Sequence, residues 1–271
     1  TRAGTTKVVE AQEGLHRVTV VWLHRLGDTG DGVAEWMDEV WNVDCGFFLL
    51  DLPHVKWIFP SAPTAPVTVN RGHRAPSWYD VCSFNTDGFN ADFPVDARGL
   101  DEAARYIAGI LEEERRANPV ARGLDEAARY IAGILEEEKK ANPDVTYIVG
   151  GISQGGGLSL YLMCRKALGS FADGSDASAL PFSASIGLST WLPQCSLVPG
   201  PGGADGAVAK RAARHPLFMT LGEADPLVGY DLLRDAGFSN LTFKTYPNLG
   251  HGMSREELAD MRAWLLELAP L

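Results

Sequence analysis

The sequence contains little cysteine, no long apolar run and fewer basic than acidic residues. Its four cysteines lie far apart and form no C-x-x-C pair, which disfavours a zinc site and favours a reducing compartment, so we expect a cytoplasmic location. No apolar run reaches the ~20 residues that a membrane-spanning helix needs, and no signal peptide is recognisable. The 24 basic and 35 acidic residues give a formal charge of −11, which disfavours nucleic acid and anionic lipid headgroups as partners.

Short apolar segments alternate with amphipathic ones along the chain. Most of the apolar segments are continuous, a pattern typical of strands that are covered on both faces of a parallel sheet. Helical patterns lie at 156–168 and 255–268. The alternation predicts an α/β fold, with a mostly parallel central sheet flanked by helices, in a single domain over residues 1–271. The predicted strands lie at 18–23, 55–59, 145–149, 184–188, 217–221 and 241–246.

One amphipathic segment occurs twice in succession, at 97–120 and at 121–144. On one continuous helix, the offset between the two copies would rotate the apolar stripe of the second copy by roughly 240° relative to that of the first. Pro119 also interrupts backbone hydrogen bonding. We therefore expect two helices with a break near 118–121. A single helix suffices to connect two parallel strands. We predict that the copy at 121–144 is this crossover helix, and that the copy at 97–120 is an extra one, which packs outside the sheet, forms a partner surface or has no role.

The sequence Gly151-Ile152-Ser153-Gln154-Gly155 lies where a predicted strand meets a predicted helix. In that context the G-x-S-x-G pattern indicates a nucleophile elbow, because glycines on both sides of the serine allow a sharp turn. The turn lifts the Ser153 hydroxyl clear of the sheet edge. It also places the N–H of Gln154 beside a reacting carbonyl, at a helix N-terminus with partial positive charge. We predict that Ser153 is a catalytic nucleophile.

A serine nucleophile needs a base, and in this kind of fold the acid and then the base follow the serine along the chain. Of the six histidines, His215 and His251 follow Ser153. His215 directly precedes a predicted strand, whereas His251 lies in a Gly-His-Gly loop before the last helix, so we predict that His251 is the base. The acid should follow a strand, where Asp225 is our choice and Glu223 is the alternative.

An oxyanion hole needs a second amide donor from the loop after the first central strand. That loop begins at His24 and continues through Arg25 and Leu26. We predict that the N–H groups of Leu26 and Gln154 are the two donors. We expect His24 to order the loop and not to transfer protons.

Seven motifs and the helical tail occur in a consistent order between about residues 18 and 269. Together they resemble the acyl-protein thioesterase / carboxylesterase family, also described as lysophospholipase-like, of the α/β-hydrolase superfamily. The motifs are LHRLGDTGDG, FPSAPTAPVTVN, PSWYD, GGISQGGGLSLYL, STWLP, GEADPLV and TFKTYPNLGH.

The resemblance implies an α/β-hydrolase fold and a serine hydrolase of thioesters and esters. Such an enzyme would remove palmitoyl-type groups from S-acylated proteins through an acyl-serine intermediate, without a metal or an organic cofactor. The residues carried over by motif are the triad Ser153, Asp225 and His251, the oxyanion donors Leu26 and Gln154, and the substrate-binding residues Trp78, Trp191 and Leu227. Each of these large apolar side chains could equally belong to the core.

This chain departs from the family pattern at four places. Arg25 stands where the family usually has glycine, and an arginine there would be costly if the position needs a positive φ or leaves room for substrate. An insertion at 83–96 is a candidate lid loop over the site, and another insertion lies at 171–181. The duplicated helix at 97–144 also has no counterpart in the family pattern.

Two other functions are compatible with the same residues. A small-molecule carboxylesterase or lysophospholipase would use the same triad on acyl esters. A receptor that binds a ligand without turnover would be marked by the loss of a triad member, and all three members are present. The sequence is compatible with transient association with a membrane surface and with a homodimer.

Overall fold

The computed structural model describes residues 5–41, 47–81, 119–171, 174–192, 206–225 and 237–269. Nine strands and five α-helices lie in these ranges. The strands are β1 (Thr6–Val9), β2 (Val18–Leu23), β3 (Val55–Pro60), β4 (Thr64–Pro66), β5 (Arg74–Pro76), β6 (Thr146–Ile152), β7 (Ala184–Leu188), β8 (Leu217–Gly222) and β9 (Leu241–Tyr246). The helices are α1 (Gly30–Trp41), α2 (Pro119–Ala141), α3 (Gln154–Leu168), α4 (Gly206–Arg214) and α5 (Arg255–Leu268).

Seven of the strands form one sheet in the order β1-β3-β2-β6-β7-β8-β9. All neighbouring pairs are parallel except β1 and β3, which are antiparallel. Strands β4 and β5 form a separate antiparallel hairpin. The predicted α/β fold with a mostly parallel central sheet is confirmed, and all six predicted strands are present with bounds within three residues.

The parallel strands are buried because helices cover both faces of the sheet. Strands β2 and β7 are buried at every residue, which is why their sequences read as continuous apolar runs. One face packs against α2 and α3, through side chains such as Leu124, Ile131 and Leu158. The other face packs against α1 and α5, through side chains such as Met37 and Leu265.

The second copy of the repeated segment forms α2, directly before β6, as predicted for the crossover helix. Leu124, Ala128, Ile131 and Leu135 lie on its buried stripe. The helix begins at Pro119, which suits the first helical position because no N–H is needed there. The two residues before Ala121 therefore belong to α2 and not to a separate copy, while residues 97–118 and the candidate lid at 83–96 lie outside the described residues.

The topology places several loops at one edge of the sheet. Strands β2, β6, β7, β8 and β9 are mutually parallel, so their carboxyl ends meet at the same edge. In open α/β sheets this edge is the usual location of a functional site. No described helix combines the length and the apolar content that are needed to cross a membrane.

Candidate active site

Ser153 sits at a sharp turn between β6 and α3. Its φ of 54° and ψ of −122° are unusual for a residue with a side chain, and such strain costs on the order of 1–3 kcal/mol. Two hydrogen bonds hold the turn: the Ser153 N–H donates to the carbonyl of Leu188 (2.9 Å), and the Thr190 hydroxyl donates to the carbonyl of Ser153 (2.6 Å). The strained conformation is therefore secured by residues at the end of β7.

The glycines beside Ser153 allow close contact with the neighbouring backbone. A Cβ on Gly155 would lie 2.3 Å from the carbonyl oxygen of Leu23, and a Cβ on Gly151 would lie 2.6 Å from the carbonyl carbon of Gly155. Neither position can accept a side chain without a shift of backbone. The start of α3 consequently lies directly against the end of β2, from which the loop that carries Leu26 departs.

His251 contacts both other members of the predicted triad. Its Nε2 lies 2.7 Å from the Ser153 hydroxyl, and its Nδ1 lies 2.9 Å from Oδ2 of Asp225. The Asp225 side chain is fully buried, whereas the His251 side chain is 40% exposed. With the N–H on Nδ1 donating to Asp225, the other ring nitrogen accepts the serine proton, which is the arrangement that activates a serine hydroxyl.

The structure discriminates between the two candidate acids. Asp225 follows β8 and faces His251, whereas the carboxylate of Glu223 lies 3.3 Å from the hydroxyl of Thr245. The turn that carries both acids is joined to the loop before His251, because the Ala224 N–H donates to the carbonyl of Leu249 (3.1 Å). The other candidate base, His215, lies at the opposite end of the strands, beside the start of β8.

The two predicted oxyanion donors are backbone N–H groups, those of Leu26 and Gln154. Neither the Leu26 N–H nor the Gln154 N–H donates a hydrogen bond within the described part of the chain. Gln154 is the first residue of α3, where an N–H has no acceptor within the helix. The backbone of Leu23 and His24, from which the loop of Leu26 departs, lies against Gly155 at the same helix start, and donation by both amides to an oxyanion stays a prediction.

The Gln154 side chain is fully buried and uses its whole amide group to bind the segment 77–79. Its Oε1 accepts from the Trp78 N–H (3.1 Å), and its Nε2 donates to the Ser77 hydroxyl (2.8 Å) and to the Tyr79 carbonyl (2.7 Å). A residue chosen from the sequence for its backbone N–H therefore also anchors the PSWYD segment. The Gln154 side chain thereby also fixes the position of the Gln154 backbone N–H.

The same segment also holds the loop that carries Leu26. The Trp78 indole N–H donates to the carbonyl of His24 (2.9 Å), and the Gly27 N–H donates to the carbonyl of Pro76 (2.9 Å). The rings of Trp78 and His24 are 4.9 Å apart. One stretch of chain thus braces both predicted oxyanion donors.

His24 is buried and orders its loop, as expected. Its Nδ1 donates to the carbonyl of Arg25 (2.7 Å), and its Nε2 accepts from the Ala62 N–H (2.9 Å). Burial lowers the pKa of His24 from its usual value. Both hydrogen bonds use the neutral imidazole with its proton on Nδ1, so the ring links the Arg25 carbonyl to the Ala62 N–H and holds the loop in place.

Arg25 does not create the backbone strain that its place in the motif could have caused. Positive φ among non-glycine residues of the described ranges occurs at Arg71, Ser153, Ser189 and Asn248. The Arg25 guanidinium lies over the ring of Trp36 (4.4 Å) and 3.5 Å from the Asp28 carboxylate. These contacts direct the side chain towards α1.

The three predicted substrate-binding residues have different surroundings. Trp78 is 4% exposed and packs in the core beside His24. Trp191 is half-buried and follows β7, at the same sheet edge as Ser153. Leu227 lies outside the described residues, and a role of Trp78 and Trp191 in substrate binding stays a prediction.

Three residues near the site were not identified from the sequence. Ser189, with φ 41°, donates from its hydroxyl to the carbonyl of Gly252 (2.8 Å), next to His251. Thr190 holds the Ser153 carbonyl. Glu257 accepts from the Ser254 N–H (3.2 Å) and hydrogen-bonds to the Thr220 hydroxyl. Glu257 had a local signal, since Ser254-x-x-Glu257 has the form of a capping box, whereas Ser189 and Thr190 belong to the STWLP motif but received no role from it.

Glu257 is fully buried beneath the loop that carries His251. Burial raises the pKa of its carboxyl group to about 7, although the hydrogen bonds from Thr220 and Ser254 act in the opposite direction. Within the described ranges, no group of three or more His, Cys, Asp or Glu side chains is arranged to hold a metal ion.

A mostly parallel sheet with a strained serine after a central strand, in contact with an imidazole and a buried carboxylate, defines the α/β-hydrolase class. The chain belongs to the phospholipase/carboxylesterase family, whose sequence pattern matches residues 5–268. It is accordingly a serine hydrolase of the thioesterase and carboxylesterase group.

Known proteins of this group are similar over almost the whole chain. Acyl-protein thioesterase 1 of Neurospora crassa is 30% identical over 94% of this chain and 88% of its own length. A probable carboxylesterase of Oryza sativa subsp. japonica is 30% identical over 92% of this chain and 77% of its own length. The crystal structure of Zea mays acyl-protein thioesterase 2 superimposes with a TM-score of 0.69 at 29% identity, covering 97% of this chain and 98% of that one. The family resemblance inferred from the motifs is confirmed.

Proposed function

We propose that the protein is an acyl-protein thioesterase, which hydrolyses the thioester between a palmitoyl-type acyl group and a cysteine of another protein. The observation that carries this proposal is the continuous contact from Asp225 through His251 to Ser153. The relatives named acyl-protein thioesterases support the choice of substrate class. The acidic surface suits a soluble protein substrate better than nucleic acid.

In the first step, the Ser153 oxygen attacks the carbonyl carbon of the thioester while its proton passes to Nε2 of His251. Asp225 accepts from Nδ1 and stabilises the resulting imidazolium. The carbonyl oxygen acquires negative charge, which the N–H groups of Leu26 and Gln154 would stabilise. The carbon–sulfur bond then breaks, the thiol leaves with the proton held by His251, and the acyl group stays on Ser153.

In the second step, His251 takes a proton from a water molecule, which attacks the acyl-serine. The same two N–H groups stabilise the second oxyanion. When the carbon–oxygen bond to Ser153 breaks, the serine regains its proton from His251 and the fatty acid is released. The N-terminus of α3 contributes partial positive charge to both oxyanions.

The alternative is a carboxylesterase or lysophospholipase that acts on small acyl esters through the same residues. It is favoured by the similarity to the probable carboxylesterase of Oryza sativa subsp. japonica. The two functions differ in the leaving group and in the size of the substrate, and not in the chemistry at Ser153.

A labelling and hydrolysis experiment tests the proposal. The purified chain should react covalently with a fluorophosphonate, and Ser153→Ala should abolish both labelling and hydrolysis. Turnover of a palmitoylated peptide thioester should exceed turnover of short p-nitrophenyl esters and of a lysophospholipid. Labelling that persists in Ser153→Ala would contradict the assigned nucleophile. A preference for lysophospholipid or short esters would instead assign the alternative function.

The remaining expectations complete the proposal. We propose one domain over residues 1–271, a cytoplasmic location, transient contact with membrane surfaces where acylated proteins reside, and a lid at 83–96. Residues 97–118 would supply a surface for a partner or for a second copy of the chain. Deletion of 97–118 should leave short-ester hydrolysis intact and alter only the action on protein substrates.

A further inference from the structure

A cavity of about 200 Å³ lies at the opposite edge of the sheet from Ser153. Its walls come from the C-terminal half of α3, from the end of α4 and from Ser183, which directly precedes β7. The cavity therefore lies beside the amino-terminal ends of β7 and β8. A strand of five residues spans about 16 Å, so the cavity is separate from the triad.

Three cationic side chains line this cavity. Lys166 donates to the carbonyls of Leu180 (2.7 Å) and Phe182, and its Nζ also lies 4.9 Å from the centre of the Phe182 ring. Arg211 donates from Nε to the carbonyl of Ala167 (2.7 Å). Throughout the described part of the chain, no carboxylate lies within ion-pair distance of Lys166, Arg211 or Arg214.

Two of these three cations are held in place. The backbone carbonyls at the end of α3 and before β7 bind Lys166 and Arg211, whereas the Arg214 side chain makes no hydrogen bond within the described residues. Burial lowers the pKa of Lys166 from its usual value. In a protein with a formal charge of −11, the carboxylates of the described residues thus leave this local cationic cluster without an ion pair.

His215 adds a neutral polar group to the same cavity. It is 8% exposed, and its Nε2 lies 3.0 Å from the Ser185 hydroxyl. Its Nδ1 has no hydrogen-bond partner in the described ranges. Burial, followed by the nearby charge of Lys166, lowers the pKa of His215 to about 3, so the imidazole is neutral at pH 7. With the Ser185 hydroxyl donating to Nε2, the N–H on Nδ1 is available to a ligand.

We propose that this cavity binds a phosphate group, held by Lys166, Arg211 and Arg214 with a hydrogen bond from His215. Guanidinium and ammonium groups are the donors that bind phosphate oxygens best. The volume suits a phosphate or a small phosphomonoester. The opposite position of Ser153 favours a soluble ligand over a lipid headgroup, because a membrane bound at this edge would face away from the nucleophile.

The test compares Arg214→Ala with Lys210→Ala, both in the full chain. Arg214 is exposed and its side chain makes no hydrogen bond or ion pair within the described residues, and Lys210 is an exposed cation on the same helix that does not line the cavity. Inorganic phosphate and a phosphomonoester are titrated by calorimetry, and the His215 ring signals are followed by NMR. We expect saturable binding with a change in the His215 signals, weakened about tenfold or more by Arg214→Ala, the loss expected for one charge-assisted hydrogen bond, and unchanged by Lys210→Ala.

A second arm uses phosphatidylcholine vesicles with and without phosphatidic acid. In one outcome, vesicle flotation requires phosphatidic acid and is lost in Arg214→Ala, while free phosphate does not bind. This outcome would support the phosphate site and identify its ligand as a lipid headgroup. Short-ester hydrolysis equal to that of the parent chain shows that both variants are folded. An absence of binding in both arms, or equal weakening by the two substitutions, would overturn the proposal.

Discussion

The Nδ1 of His24 donates a hydrogen bond of 2.7 Å to the carbonyl oxygen of Arg25, the residue that follows it. The Arg25–Leu26 peptide is trans, so its carbonyl and its N–H point in opposite directions. By fixing the Arg25 carbonyl, His24 therefore fixes the direction of the Leu26 N–H. The other ring nitrogen, Nε2, accepts a hydrogen bond from the Ala62 N–H, so both nitrogens hold the His24 ring in place.

We predict that His24→Phe lowers kcat by about tenfold to a hundredfold with little change in KM. This is less than the loss of a whole oxyanion donor, because the Asp28 N–H also donates to the Arg25 carbonyl (3.2 Å). His24→Asn, whose amide can replace Nδ1 as the donor, should lose less activity than His24→Phe. Steady-state hydrolysis of a thioester measures both variants. Equal kcat in the two variants would contradict a role for this hydrogen bond.

The contact between Asp225 and His251 predicts the effect of removing the charge of the acid. Asp225→Asn should lower kcat by about 10⁴-fold, because the amide favours the wrong tautomer of His251 and cannot stabilise the imidazolium. Glu223→Gln is the matched control and should leave kcat unchanged, since Glu223 contacts Thr245. Thermal unfolding of both variants establishes that they are folded. A large loss in Glu223→Gln alone would reverse the assignment.

The contact at Gly155 predicts that a single methyl group disrupts the elbow. Gly155→Ala should destabilise the fold by about 1–3 kcal/mol and abolish labelling at Ser153, because the new Cβ would overlap the Leu23 carbonyl. Gly133→Ala, in α2, is the control. A Cβ there meets no atom within 4 Å, so the substitution should stabilise the fold by about 0.5–1 kcal/mol. Urea unfolding measures both, and a neutral Gly155→Ala would contradict the described packing.

The raised pKa of Glu257 predicts a specific pH dependence of the free energy of unfolding. Its pKa rises from 4.5 in the unfolded chain to about 7 in the fold. The folded state keeps the proton that the unfolded state loses, so the stabilisation is complete below pH 4.5 and is lost as the pH rises to about 7. The free energy of unfolding, relative to that of Glu257→Gln, should therefore fall by about 1.4 kcal/mol per pH unit across this window.

Denaturant titrations between pH 4 and pH 8 measure this difference. The comparison with Glu257→Gln isolates Glu257 from His215, whose lowered pKa acts in the opposite direction over part of the same range. Glu256→Gln changes the exposed neighbouring carboxyl group and should leave the pH dependence as in the parent chain. A constant difference between parent and Glu257→Gln would contradict the raised pKa.

The central strands and the last helix could be predicted because their signals are local. Strands covered on both faces are apolar at each position, as in β2 and β7, and α5 has the spacing of an amphipathic helix. The antiparallel edge strand β1 and the hairpin of β4 and β5 were not predicted. They are short and partly exposed, so their sequences lack the buried pattern.

The sequence by itself determined the strand-turn-helix around Ser153 and the chain order of serine, acid and base, because glycine spacing and apolar periodicity act over a few residues. The sequence left Asp225 and Glu223 as alternative acids. It also did not indicate that Gln154 and Trp78 hold the loop that carries Leu26. The tertiary structure decided these points. Ser153 and His251 are 98 residues apart in the chain, and only the order of strands in the sheet sets the distance between their side chains.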